Sequence, residues 1–164
     1  MKRTLALILA IITVLSFAAC GNKDNSATTE AIAEEQTLGT TLKDYFVELA
    51  EDGTGIDEIA NEMVAHPSIL FNSMAMAVEP GFLPGFDTEI TGFTKAMTFA
   101  PMISSIAFVG YVFETEDVDA LIKTLEDNAN LRWNVCVEAE EMIIEKSGNK
   151  VFFVMCPKSL ESAE

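Results

Sequence analysis

The sequence predicts an α+β domain in two layers, a mixed or antiparallel sheet of four or five strands with helices packed on it. Apolar residues recur at helical spacing after residue 40 and again after residue 115. Runs of aromatic and β-branched residues follow each of these segments or lie between them, and the chain closes with a hairpin pattern. An N-terminal helical hairpin therefore precedes a sheet within one domain.

Two short amphipathic helices are expected first. The spacing predicts a helix with Thr41 as N-cap and Gly53 as its stop, on the stripe Leu42, Tyr45, Phe46 and Leu49. The second stripe is Ile56, Ile59, Ala60, Met63 and Val64. Pro67 ends that helix because it disfavours helical backbone at His66. A Gly-rich turn joins the two helices into the hairpin.

The next segment predicts a strand and two tight turns. Residues 68–78 are apolar on both alternations, and their length and the following Pro-Gly favour a buried strand over a helix. Pro80-Gly81 and Pro84-Gly85 each suit a type II turn. Each turn is expected to present the next residue, Phe82 or Phe86, in the same sense. Residues 87–101 show no clean period.

A strand, helix and strand are expected after that. Residues 106–114 are dense in aromatic and β-branched side chains, which favour a strand. Thr115 is the expected N-cap of a helix with acidic residues in its first turn, where they interact well with the helix dipole. Trp133 to Val137 is expected to form another strand, completing a crossover unit.

The C-terminal pattern predicts a β-hairpin with a definite register. Gly148-Asn149 suits a two-residue turn that pairs Ser147 with Lys150. The remaining pairs follow from that one: Ile144 with Phe153, Met142 with Met155, Ile143 with Val154, Glu145 with Phe152, and Glu141 with Cys156.

The first twenty residues have the anatomy of an export signal. Lys2 and Arg3 precede an apolar run, which ends at Ala18-Ala19-Cys20. The run is about fifteen residues long, and a membrane-spanning helix needs about 20, so a cleaved signal is favoured over a span. The pattern resembles the bacterial lipoprotein signal, in which the cysteine is lipidated and becomes the first mature residue. A plain secretory signal cut near Ala19 is the alternative.

The expected organisation follows from that signal. Residues 1–19 are the signal peptide, and residues 20–40 carry the lipid anchor on Cys20 and a polar, disordered tether. Residues 41–158 are the single α+β domain, and residues 159–164 are a frayed C-terminus.

The folded part also resembles a group of small, uncharacterised lipoproteins of Gram-positive anaerobic bacteria. The resemblance is carried by the Ala-Ala-Cys-Gly start, by residues 80–86 (PGFLPGF), and by the segments 108–114, 131–136 and 149–157. It implies a location at the cell surface and no particular activity.

The charge of the mature chain excludes one class of partner. Lys2 and Arg3 leave with the signal, so eight basic residues face 26 acidic ones, a net charge of −18 against −16 for the whole chain. Such a chain is repelled by nucleic acid and by anionic lipid head groups. The lipid anchor is therefore the expected membrane contact, and nucleic acid is not an expected partner.

One candidate binding surface is expected in the apolar middle of the domain. That segment carries many large apolar side chains with little secondary-structure signal. Either they pack as core, which is favoured, or part of them lines a groove for a hydrophobic peptide or lipid-like ligand. The residues are Phe82, Leu83, Phe86, Phe93, Met97, Phe99 and Met102.

Other chemistry-bearing residues have more ordinary interpretations. Cys136 and Cys156 could form a disulfide in an exported protein, and two buried free thiols are the favoured alternative. Met74 and Met76 could hold Cu(I) through their sulfur atoms, but flexible core packing is favoured. His66 is expected to cap the helix end or to be exposed. No metal or cofactor is expected.

Together these observations predict a cell-surface lipoprotein with a non-catalytic binding or interaction module at the outer face of the cytoplasmic membrane. An envelope protein or peptide is the expected partner. The alternative is a small envelope enzyme using Cys136 or a pair of carboxylates among Glu138, Glu140 and Glu141.

Overall fold

The structure is a computed structural model that describes residues 36–103 and 105–160. The signal, Cys20, most of the expected tether and residues 161–164 lie outside the described residues. The described part is an α+β fold with three helices, a five-stranded antiparallel sheet and a two-stranded sheet, which confirms the predicted class. The elements are α1 (Leu38–Glu51), α2 (Ile56–Ala65), β1 (Ser73–Val78), β2 (Gly81–Phe82), β3 (Glu89–Ile90), β4 (Lys95–Pro101), β5 (Val109–Glu114), α3 (Val118–Asn128), β6 (Glu141–Ser147) and β7 (Lys150–Cys156).

The large sheet has the strand order β1-β4-β5-β7-β6, and every neighbouring pair is antiparallel. Strands β1 and β6 therefore form its two edges. Strands β5 and β7 lie inside it and are buried along most of their length, as their continuous apolar sequences indicate.

Helices α1 and α2 cover one face of the sheet, with α1 against β6 and β7 and α2 against β1 and β4. Their apolar stripes meet inward-facing strand residues, and the rings of Phe46 and Phe152 stack with centroids 5.3 Å apart. The shared core includes Leu42, Phe46, Ile56, Ile59, Met63, Met97, Phe99, Val112, Phe152 and Val154.

The opposite face of the sheet is covered as well, by α3 and by the segments around β2–β3 and residues 129–139. Its core includes Leu83, Phe86, Phe93, Tyr111, Phe113, Leu121, Leu125, Val151, Phe153 and Met155. The sheet is thus buried between two apolar layers, whereas the sequence indicated helices on it without separating its faces.

The C-terminal hairpin has the predicted register throughout. Ser147 pairs with Lys150, Ile144 with Phe153, and Glu141 with Cys156. Gly148 has a φ of 60°, a value that favours glycine and suits a two-residue hairpin turn.

The expected strand at Trp133–Val137 is wrong, and with it the crossover unit. The segment forms successive turns because asparagine side chains compete for its backbone amides. The Arg132 amide donates to Asn130 Oδ1 at 2.8 Å, and the Cys136 amide donates to Asn134 Oδ1 at 3.4 Å. The chain then reaches the sheet at β6, antiparallel to β7.

The two Pro-Gly turns do not present their phenylalanines in the same sense. Phe82 is 75% exposed, whereas Phe86 is 9% exposed and packs against Tyr111 and Phe153. A Cβ on Gly85 would lie 2.7 Å from the Met155 side chain, while a Cβ on Gly81 would meet nothing within 4 Å. The second turn is therefore pressed onto the sheet, and the first lies at the surface.

Two helices begin at residues other than those expected. α1 starts at Leu38, with Thr37 as N-cap in a capping box with Thr40, so Thr41 lies inside the helix. α3 is capped by Asp117, whose side chain accepts the Ala120 amide. Thr115 is instead buried, and its hydroxyl donates to the Gly92 carbonyl at 2.7 Å.

Candidate functional site

The apolar residues proposed from the sequence as a groove are not brought together. Leu83, Phe86 and Phe93 belong to the core beneath α3. Met97 and Phe99 lie on the other side of the sheet, in the core beneath α1 and α2. Only Phe82 and Met102, which is 63% exposed, present large surfaces to solvent. The favoured interpretation as core therefore holds for five of these seven side chains.

An apolar cleft does exist, and it lies beside the edge strand β1. Strand β1 contributes Met74, Met76 and Val78, and β4 contributes Thr98 and Ala100. These side chains point to the face that carries α3, at a place where the covering segments stop short of the sheet edge. The volume of the cleft is ≈ 230 Å³.

The far wall of the cleft is formed by Pro84 and Trp133. Pro84 is held by the buried Tyr111, whose hydroxyl donates to the Pro84 carbonyl at 2.7 Å. Burial raises the pKa of Tyr111 well above its ordinary value, so the hydroxyl remains a donor at all physiological pH values. Trp133 is placed by its own backbone, whose amide donates to the Asn130 carbonyl at 3.1 Å.

Met74 and Met76 are the most informative residues of this site. Their exposed fractions are 39% and 44%, although both belong to a strand that is apolar after its first residue, Ser73. As residues i and i+2 of a strand they share one face, so their thioethers line the cleft together. Flexible core packing, the favoured expectation for them, is wrong.

Strand β1 also leaves backbone groups without partners. The Met102 amide donates to the Asn72 carbonyl at 2.9 Å, in register with the β1–β4 pairing. Because bonding alternates along an antiparallel ladder, Met74 and Met76 face β4, while the amides and carbonyls of Ser73, Ala75 and Ala77 point away from the sheet. Pro101, which has no N–H, lies opposite Ser73 in agreement with this phase.

Cys136 and Cys156 are both free thiols, in different surroundings. Cys136 is exposed in the turn segment, whereas Cys156 is buried at the end of β7. The Cys156 thiol lies 3.4 Å from Glu141 Oε1, and burial together with that carboxylate raises its pKa. The sequence pattern predicted that Cys136 lies in an apolar strand, and that prediction is wrong.

The residues of the enzymatic alternative have structural partners. Glu138 pairs with Arg132, with 3.2 Å between Oε2 and Nε. Glu140 and Glu141 accept the backbone amides of Lys158 and Gly39, each at 2.8 Å. These carboxylates therefore hold the two ends of the folded segment against the sheet.

His66 ends α2 and packs beside Tyr45, with ring centroids 4.9 Å apart. Its Nδ1 accepts the Ser68 amide at 3.2 Å, so it bonds the following turn and does not cap the helix carbonyls. Partial burial lowers the pKa of this imidazole.

The fold and the cleft together define a small α+β domain with an open apolar sheet edge. No protein-family model, curated protein or solved structure matches this chain. Within residues 36–103 and 105–160, no helix is long and apolar enough to cross a membrane. The same residues contain no group of three or more His, Cys, Asp or Glu side chains arranged to hold a metal ion.

The sequence did not single out this cleft, although it contained part of the signal. The Met-x-Met pattern placed two large apolar side chains on one face of a strand. What it could not show is that this strand lies at the edge of the sheet.

Proposed function

We propose that this chain is a lipid-anchored cell-surface protein whose folded domain is a non-catalytic binding module. Its site is the cleft beside β1, and its partner is an apolar peptide segment of an envelope protein. The anchor on Cys20 is supported by the positive, apolar and small-residue pattern of residues 2–20. A lipid attached there would keep the domain at the outer face of the membrane, on a polar tether.

The exposure of Met74 and Met76 carries the proposal of a binding site. Burying apolar surface is favourable by about 25 cal/mol per Å². A fold that buries most of β5 and β7 but leaves both thioethers open to solvent therefore retains an apolar surface available for binding. Methionine suits such a site, because its flexible, polarisable side chain adapts to different partners.

The size of the cleft favours side chains over a whole ligand. Pockets for cofactors and drug-sized molecules have volumes of about 300–1,000 Å³. The ≈ 230 Å³ here lies below that range, and two lining residues of β1, Met74 and Met76, are exposed to solvent. The cleft can accept a few apolar side chains of an extended chain more readily than it can enclose a molecule.

Binding can be followed through Trp133, the only tryptophan of the chain and part of the cleft wall. The full chain, placed in zwitterionic lipid nanodiscs, is titrated with synthetic peptides in which apolar and polar residues alternate. We expect a saturable change in Trp133 fluorescence, which the Met76→Glu variant loses. Met142→Glu is the matched control, because Met142 is an exposed methionine on the other edge strand.

Two results would contradict this proposal. One is a peptide response that survives Met76→Glu or is equally lost in Met142→Glu. The other is a Trp133 response to fatty acid alone, with none to any peptide, which would assign the cleft to lipid.

The anchor is tested separately by mass spectrometry of the membrane fraction. We expect a mature N-terminus at Cys20 that carries acyl chains. The Cys20→Ala variant should carry no lipid modification. An uncleaved leader, or an unmodified Cys20 at the mature terminus, would remove the basis for surface anchoring.

A further inference from the structure

The two edges of the sheet are protected to very different degrees. Strand β6 carries Glu141, Glu145 and Lys146, and α1 packs against it. Strand β1 reads SMAMAV, with no charged residue and no proline. Natural sheets normally block a free edge with charges, proline, bulges or covering segments, because an open edge can pair with another strand. Each edge strand has a helix on one face, α1 on β6 and α2 on β1, but of the two only β6 carries charged residues.

The open edge also presents backbone groups in the right arrangement for another strand. From the phase of the β1–β4 ladder, set by the Asn72–Met102 bond, the amides and carbonyls of Ala75 and Ala77 point away from β4. They lie along the same strand whose alternate residues, Met74 and Met76, line the cleft. An extended chain could therefore bond to the edge and insert side chains into the cleft at the same time.

We infer that the partner peptide binds by strand addition, as a sixth strand antiparallel to β1. This inference rests on the proposed function and specifies how the site recognises its peptide. Main-chain bonds to Ser73, Ala75 and Ala77 supply sequence-independent affinity. The cleft selects apolar side chains at alternate positions of the peptide.

Alternate residues of the bound peptide would make different contacts with β1, one set through side chains and the other through the backbone. In an antiparallel pair, residues directly opposite each other share a face of the sheet. Peptide residues opposite Met74 and Met76 enter the cleft, and their own amides point away from β1. Peptide residues opposite Ala75 and Ala77 bond to the edge through their amides, and their side chains lie on the side of α2.

The charge of the domain selects a basic peptide as the occupant. Glu79 follows β1 directly, is exposed, and belongs to none of the ion pairs among the described residues. In antiparallel pairing the N-terminal end of the peptide lies beside Glu79, so Lys or Arg is favoured there. A second copy of this chain would bring a net charge of −16 or more against an equal charge, which opposes self-pairing.

The test uses backbone methylation of the peptide. The probe is a synthetic peptide of alternating leucine and threonine with lysines at its N-terminal end, titrated against the full chain in zwitterionic nanodiscs. N-methylation of the threonines should weaken binding about tenfold or more, because it removes the donors that face β1. N-methylation of the leucines should leave binding nearly unchanged. Loss confined to the leucine series would overturn the antiparallel arrangement inferred here, because those amides point away from β1 in that arrangement.

A protein variant tests the same bond from the other side. Ala77→Pro removes an outward-facing donor and leaves the β1–β4 ladder intact, since proline is tolerated on edge strands where the N–H faces solvent. Ala77→Thr keeps the donor and is the control. We expect Ala77→Pro to weaken binding about tenfold and Ala77→Thr to have little effect.

The outcomes separate this inference from the proposed function. Equal binding of both methylated series and of both Ala77 variants, with Met76→Glu still inactive, would overturn strand addition and leave a cleft that holds side chains only. No binding of any peptide would overturn both. A concentration-dependent dimer that Ala77→Pro abolishes, in a chain that binds no peptide, would assign the edge to a second copy.

Discussion

Gly110, the second residue of β5, gives the sharpest test of the packing. A Cβ on Gly110 would lie 2.1, 2.3 and 2.6 Å from the Cζ, Cε2 and Cε1 atoms of Phe99. Carbon atoms in contact prefer about 3.5–4.0 Å, so the ring would have to withdraw by roughly 1.4 Å. Phe99 is 1% exposed and lies against Phe108 and Phe152, which leaves it no room to do so.

Steric overlap, and not backbone preference, therefore decides whether Gly110→Ala raises or lowers the free energy of unfolding. In an open strand, replacing glycine by alanine gains about 0.5–1 kcal/mol. Here overpacking should exceed that gain and lower the free energy of unfolding by about 1–3 kcal/mol. Urea unfolding followed by circular dichroism measures the difference.

The same substitution in a Phe99→Leu variant tests whether the Phe99 ring causes the loss of stability. In Phe99→Leu the ring atoms that meet the new Cβ are gone, so Gly110→Ala should cost less there, with a coupling energy of about 0.5–3 kcal/mol. If Gly110→Ala is as stable as the wild type, or costs the same in both backgrounds, the packing of Phe99 over Gly110 is wrong.

Three further predictions concern single residues. Thr37→Ala should lower the free energy of unfolding by about 1 kcal/mol through loss of the α1 cap, and Thr41→Ala should cost clearly less; equal urea midpoints would contradict this. Alkylation of the native chain should modify Cys136 and spare Cys156 until the protein unfolds, as peptide mass mapping can show; equal rates would place Cys156 at the surface. The NMR titration of His66 should have its midpoint below the ordinary pKa of 6.5, because partial burial disfavours the charged ring. The unfolded chain then takes up the proton first, so the stability of the wild type relative to His66→Gln should fall as the pH drops through 6.5.

Local patterns were sufficient where neighbouring residues decide the structure. Helix α2 ends at Ala65, and its C-cap His66 directly precedes Pro67, as expected. The β6–β7 register follows from Ser147 and Lys150 alone. In both cases the determining interaction spans a few residues. The N-cap residues were less predictable, because more than one residue near a helix start could serve as the cap and tertiary contacts decide which residue does. Thr115 donates to the distant Gly92 carbonyl, so Asp117 caps α3 instead.

The Trp133–Val137 segment shows how a local contact can override a strand pattern. Its alternating apolar residues favour a strand, yet Asn130 and Asn134 accept amides two residues ahead and bend the chain into turns. That outcome also changes the site. As a strand the segment would have extended the sheet, whereas as a turn it sets Trp133 over the cleft.

The asymmetry between the sheet edges connects these features to function. A strand such as β1, apolar on both alternations, ordinarily belongs inside a sheet, and the strands β5 and β7, which have the same character, do lie there. Placing it at the edge exposes two methionines and the amides of Ala75 and Ala77, and no charge on the strand opposes pairing with another chain. β6 carries such charges, so the same fold shows that the protection is available to this chain. The unprotected edge is therefore best understood as a surface kept for another strand, and the response of peptide binding to Ala77→Pro decides whether that is so.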